Sequence, residues 1–96
     1  MSQISGQPYP YAGTTLIDGT KSVTSSATAL ATSTTVSGVE IVAASGNSQN
    51  ILLGNSTSQN RVLVPGESIY LGVHDLSIVY VKSVSGTQSC TYLAVI

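Results

Sequence analysis

The residues that could support acid–base or nucleophilic chemistry are few in this chain. His74 is the single histidine, and Asp75 follows it directly. Neighbouring side chains on a strand point to opposite faces, so these two are poorly placed for one to orient the other as in a catalytic couple. We therefore expect both residues to lie in a turn before Leu76, where His74 would cap the turn or hydrogen-bond locally.

Other patterns that could indicate chemistry are incomplete. Gly54, Asn55 and Ser56 begin like a nucleophile elbow but lack its closing glycine. Asn55, Ser56 and Thr57 match a glycosylation sequon, a pattern that also arises by chance. One His, one Cys and four scattered carboxylates fit no recognised zinc or calcium spacing, although a metal on a symmetry axis stays open. The sequence predicts no enzyme activity, no cofactor and no metal site within one chain.

The single cysteine, Cys90, excludes a disulfide within the chain. Its neighbours Tyr92 and Leu93 are apolar, and free cysteines are among the residues most often buried in proteins. We predict a buried, structural thiol.

Charge is scarce in this protein. Only 7% of residues are charged, the formal net charge is −1, and the basic residues are Lys21, Arg61 and Lys82. Such a chain lacks the basic footprint that binds phosphate backbones, so we expect no nucleic-acid partner. A mean hydropathy of +0.30 in so small a domain predicts apolar surface left over after folding, which would contact another protein.

The sequence gives no indication of a membrane-spanning segment. No apolar run approaches the roughly 18 to 20 residues that cross a bilayer. The first residues, Met1 to Ile4, have neither a basic start nor an apolar stretch, so we expect neither a membrane protein nor a conventionally secreted one.

From Asp18 onward, short runs with a period of two alternate with turn residues, which is typical of β-strands. We predict an all-β fold: a single small β-sandwich or flattened barrel of about seven short antiparallel strands with an extended N-terminal arm. The alternative for residues 27–31 is one helical turn, disfavoured by the surrounding threonines. The candidate strands are residues 21–24, 27–32, 39–44, 51–53, 61–64, 68–73, 77–83 and 89–96.

The second half of the chain predicts one turn and the position of the last strand. Pro65 and Gly66 are the pair that a type II turn needs, so we predict a hairpin there. Its return strand would place Ile69, Leu71 and Val73 on one face. The last strand should be central in its sheet or paired with its neighbour in the chain.

The N-terminal 19 residues are predicted to form the arm, with the β domain covering residues 20–96. Tyr9, Pro10 and Tyr11, together with Ile4, are the candidate partner-binding residues, because tyrosine favours interfaces. Fully extended, the arm would span about 60 Å, enough to reach a neighbouring subunit. The alternative is a frayed terminus.

The pattern of residues 39–96 resembles small β domains in structural proteins of tailed bacteriophages. The resemblance is carried by an apolar strand at Val39, a turn with Asn50 and Gly54, the Leu63-Val64-Pro65-Gly66-Glu67-Ser68 segment, a Leu76-Ser77-Ile78-Val79-Tyr80-Val81 run and the ending Thr91-Tyr92-Leu93. It implies a capsid decoration or cement, head-fibre or tail-associated role, and it assigns no binding residues.

These observations lead to an expected function and two alternatives. We expect a virion protein, made in the host cytoplasm, that stabilises a phage head by oligomerisation and arm docking on the major capsid protein or another virion protein. A homotrimer is the expected assembly, and a homodimer is the alternative. The second function class is a tail or fibre module that binds a host-surface glycan through Asn55, Asn60 and Tyr70. A small hydrolase is the third and least favoured class.

Overall fold

The computed structural model describes residues 15–96, which form a β-sandwich as predicted. Its eight strands, where about seven were expected, are β1 (Leu16–Val23), β2 (Thr28–Ala29), β3 (Gly38–Ala43), β4 (Ile51–Gly54), β5 (Gln59–Leu63), β6 (Ser68–Leu71), β7 (Tyr80–Ser83) and β8 (Gln88–Val95). One turn of 3-10 helix, Leu76–Ile78, lies between β6 and β7. The predicted strand over 27–32 shortens to β2.

The strands form two antiparallel sheets of four. The first sheet has the order β1-β8-β3-β6 and the second the order β2-β7-β4-β5. The chain therefore crosses repeatedly from one sheet to the other, in the strand order of an eight-stranded jelly roll. Composition and periodicity predict the sandwich but not this order, because partners such as β1 and β8 lie at opposite ends of the described chain.

The core between the sheets is aliphatic. Alternation places one side of each strand inward, so that Val39, Ile41 and Ala43 of β3 are fully buried while Glu40 is exposed. Strand β8 lies between β1 and β3, which confirms the predicted central position of the last strand. The buried apolar residues are Val23, Leu30, Val36, Val39, Ile41, Ala43, Ile51, Leu53, Leu63, Leu76, Val79, Val81, Cys90 and Ala94.

The turn at Pro65 and Gly66 forms as predicted, but the hairpin prediction is wrong. Gly66 has a φ of 86°, and the Glu67 amide donates to the Val64 carbonyl at 2.9 Å. Strands β5 and β6 nevertheless belong to different sheets. The reason is that the turn bonds to β3: Gly66 donates to the Ala43 carbonyl and Ala43 to the Glu67 carbonyl, both at 2.9 Å.

The predicted boundary between arm and domain also changes. Strand β1 begins at Leu16 and pairs along its whole length with β8, and the Ile96 amide donates to the Thr15 carbonyl at 3.0 Å. Residues 16–19 therefore belong to the sandwich. Gly19, the last residue of the predicted arm, lies within the strand opposite Tyr92, whose ring covers the space that a Cβ would need.

Candidate functional site

The four predicted partner-binding residues, Ile4, Tyr9, Pro10 and Tyr11, lie outside the described residues. The candidate sites that follow are therefore those formed by residues 15–96. They comprise one polar cluster, two apolar outer faces and one crevice.

Asp75 has a structural role at the start of the 3-10 turn. Its carboxylate accepts hydrogen bonds from the Ser77 amide and hydroxyl at 2.9 and 2.8 Å, the Ser33 hydroxyl at 3.0 Å and the Thr34 amide at 3.2 Å. These bonds, led by the Ser77 amide, lower the pKa of Asp75 to about 2. His74 is exposed and its carbonyl accepts from the Val36 amide at 2.9 Å. The pair directly precedes the 3-10 turn that begins at Leu76, in agreement with the predicted position.

Cys90 is fully buried on the inner face of β8, which confirms the prediction for this residue. Burial raises the pKa of the Cys90 thiol to about 11, although the nearby Lys21 ammonium acts in the opposite direction. The thiolate, which is the reactive form, is therefore scarce at neutral pH.

The three residues proposed for glycan binding do not converge. The Asn55 carboxamide oxygen accepts from the backbone amides of Thr57 and Ser58, both at 2.8 Å, and the side-chain Nδ2 of Asn60 donates to the Ser58 hydroxyl at 2.8 Å. Both asparagines thus stabilise the β4–β5 turn of the second sheet. Tyr70 lies on the first sheet.

The outer face of the first sheet carries a group of apolar side chains, here called the first-sheet patch: Leu16, Tyr70, Leu93 and Val95. Leu16 is 64% exposed, Tyr70 45% and Leu93 42%. Leu16 is paired with Val95, and Leu93 and Tyr70 flank Glu40 on β3. An outward face that is not covered normally carries polar residues.

The second sheet has a smaller group at one end of its outer face, here called the second-sheet patch: Leu52, Val62, Val64 and Val84. Leu52 is paired with Val62, and three of the four residues are about half exposed, at 46% for Val62, 45% for Val64 and 55% for Val84. Both outer faces of the sandwich are therefore partly apolar.

A crevice of about 230 Å³ opens between the two sheets on the side where β5 and β6 are the edge strands. Its walls are almost wholly apolar. Arg61 of β5 is paired with the inward-facing Leu53 and contributes the one cation to the lining. Within residues 15–96, no group accepts a hydrogen bond from its guanidinium. The lining consists of Leu53, Gly54, Asn55, Arg61, Ile69, Leu71, Val73, Ile78 and Val79.

Sequence reasoning missed this crevice. The alternation of Ile69, Leu71 and Val73 correctly predicts a common inner face, and all three are partly buried. Their neighbours across the crevice come from β4 and β5 of the other sheet, and the packing of strands from different sheets leaves no local sequence signal.

Residues 15–96 contain no group of three or more His, Cys, Asp or Glu side chains that could hold a metal ion. The same part of the chain has no helix long and apolar enough to cross a membrane.

Comparison with known proteins finds no family model that matches the chain, and no curated protein is significantly similar to it.

Proposed function

We propose that this chain is a structural protein of a tailed-phage virion, a decoration or cement protein that binds the assembled capsid. The observation that carries the proposal is the exposure of large apolar side chains on the outer faces of both sheets, in a chain with only 7% charged residues. Large apolar side chains grouped on an exposed face are typical of protein–protein contacts. The jelly roll is compatible with this role, since viral capsid domains use it, but it also occurs in lectins.

The mechanism is the burial of apolar area across the joints of the shell. Internal pressure strains the contacts between capsid subunits, and a protein that spans two of them adds contact area on both. Each Å² of apolar surface removed from water contributes about 25 cal/mol before the entropic costs of association. The closed shell is then more stable than the same shell without the protein.

Of the two apolar faces, the first-sheet patch is the better candidate for contact with the capsid. Leu16 is 64% exposed and is the first residue of β1, so the chain joins the sandwich at the patch. The four strands lie about 4.8 Å apart and are four to eight residues long at about 3.3 Å per residue, which gives a face of roughly 400 Å². Stable interfaces bury about 800 Å² per partner, so this face needs the N-terminal segment as additional contact area.

The test measures binding of the purified full-length chain to capsids that lack it. We expect Leu93→Asp to reduce particle binding by at least 10-fold, because it removes an apolar side chain of the first-sheet patch and adds a third carboxylate beside Asp18 and Glu40, the residues paired with Leu93. Val62→Asp is the matched control, at 46% exposure on the second-sheet patch against 42% for Leu93. Sedimentation of particles with bound protein gives the occupancy. If Leu93→Asp binds like wild type, the contact surface is wrong.

Removal of residues 1–13 tests the role of the arm. We expect the truncated chain to stay folded, because β1 begins at Leu16, and to lose at least 10-fold in particle affinity. Circular dichroism checks the fold, and heating of decorated and bare particles checks the reinforcement. Equal rupture temperatures for the two kinds of particle would contradict the cement role.

A further inference from the structure

The crevice between the sheets has the chemistry of a site for one aromatic ring with a polar end. Its walls are aliphatic, with Leu53, Ile69 and Leu71 among them, and its one cation is Arg61. A guanidinium near a ring is attracted to the face of the π-system, and it also donates hydrogen bonds to a phenol oxygen. Tyrosine combines the apolar body and the oxygen that such a site would recognise.

The size of the crevice points to a side chain and not to a separate small molecule. Pockets for drug-sized ligands measure about 300 to 1,000 Å³. At about 230 Å³, this one is below that range. It has room for a single side chain attached to a polypeptide that runs along its opening.

The two edge strands beside the opening are suited to such a polypeptide. The Glu67 carbonyl bonds to β3, so by alternation the backbone groups of Ser68 on β6 point away from β3. On β5, Arg61 and Leu63 bond to β4, which directs the backbone groups of Val62 outward. An extended segment can bond to these groups, and proline is tolerated in a segment added at a sheet edge.

We propose that the crevice binds a tyrosine side chain from the Tyr9-Pro10-Tyr11 segment of a second copy of this chain. The protein has five tyrosines and neither Trp nor Phe, and Tyr70, Tyr80 and Tyr92 are in strands. Tyr9 and Tyr11 are therefore the two tyrosines that precede the described residues in the sequence. The proposal rests on the assembly role proposed above and names the contact between protomers.

The distance to the crevice favours a second copy over the same chain. Thr15 adjoins β1, and a segment that lies along the opening has its backbone one strand spacing beyond β6, which is four spacings or about 19 Å from β1. Tyr11 is four residues from Thr15, so its Cα lies at most about 14 Å from Thr15 and cannot take a place beside β6. Tyr9 would reach only with the chain almost straight. The N-terminal segment of a neighbouring protomer is not limited by the distance between Thr15 and the crevice of this chain.

The test uses p-cresol, the side-chain analogue of tyrosine, and methyl NMR spectra of the full-length chain. In the double variant Tyr9→Ser/Tyr11→Ser, we expect p-cresol to shift the methyl signals of Leu53, Ile69 and Leu71. In wild type, where the site is already filled, we expect apparent binding at least 10-fold weaker. Equal binding by both proteins would show that the crevice is vacant in wild type and would overturn the proposal.

Light scattering identifies the chain that supplies the tyrosine. We expect wild type to be an oligomer and the double variant to be a monomer. If wild type is a monomer and p-cresol still binds the crevice only in the double variant, the tyrosine comes from the same chain. That result would overturn the second-copy assignment.

A pair of variants in the body provides the matched control. Ile78→Asp introduces a carboxylate into the lining of the crevice, at a residue that is 50% exposed. Val84→Asp introduces the same group at a residue that is 55% exposed and lies outside the lining. We expect Ile78→Asp to be monomeric and Val84→Asp to assemble like wild type. All these measurements are made without capsids, so a failure here is distinct from a failure of particle binding.

Discussion

At the scale of single residues, the polar side chains of this protein organise loops. The Asp75 carboxylate joins the 3-10 turn to the segment that contains Ser33 and Thr34, about 40 residues earlier in the chain. The sequence indicates that Asp75 lies in a turn before Leu76. It does not reveal the long-range partners, because the approach of residues 33 and 34 depends on strand order.

The pKa of Asp75 makes a pH dependence testable. Because the folded pKa is depressed from 3.8 to about 2, the stabilisation is complete above pH 3.8 and disappears as the pH falls towards 2. We expect Asp75→Asn to lower the urea midpoint at pH 6 and to narrow its difference from wild type as the pH falls from 4 to 2. Urea titrations at several pH values measure this, with Asp18→Asn, on the exposed side of β1, as control. If the difference in urea midpoint between Asp75→Asn and wild type were the same at every pH, the Asp75 carboxylate would not be the source of the pH dependence.

At the scale of elements, the period-two pattern predicts strands and their inner faces well. Ile69, Leu71 and Val73 share an inner side, and the final strand is central. What the pattern cannot supply is the choice of partner. A tight turn at Pro65 and Gly66 favours a local hairpin, yet the turn bonds to Ala43 and sends β6 to the other sheet. The crevice depends on that crossing, so it could not be predicted either.

The turn itself gives a prediction at this scale. Gly66 has a φ of 86°, a conformation that side chains with a Cβ adopt at a penalty. We expect Gly66→Ala to lower the free energy of unfolding by about 1 to 2 kcal/mol, measured by urea denaturation. Gly46→Ala is the control, since a Cβ there meets nothing within 4 Å and its φ is not positive. Similar losses at both positions would show that backbone strain is not the cause.

At the scale of the whole molecule, the first and last strands of the described chain support each other. Strand β8 is held between β1 and β3, with its alternate residues in the core. Because β8 is hydrogen-bonded to β1 on one side and to β3 on the other, its exposure to solvent requires the loss of most of the first sheet. Local fluctuations at the loops do not reach it.

Cys90 reports on that opening. We expect its reaction with a thiol reagent at pH 8 to be slower by a factor of about 10³ or more than that of an exposed cysteine, because the reaction requires unfolding. The double variant Cys90→Ser/Thr91→Cys is the matched control, since Thr91 is the adjacent, exposed position on the same strand. Absorbance of the released thiol product gives both rates. Comparable rates would contradict a closed first sheet.

The pairing of Thr15 with Ile96 has a mechanical consequence. A pull on the segment before Thr15, directed along β1 while the body is fixed, loads the whole β1–β8 ladder in shear, so that many hydrogen bonds must break together. A pull that separates Thr15 from Ile96 sideways opens the same ladder one bond at a time. Single-molecule stretching in these two directions should therefore give a high rupture force for the first and a low one for the second.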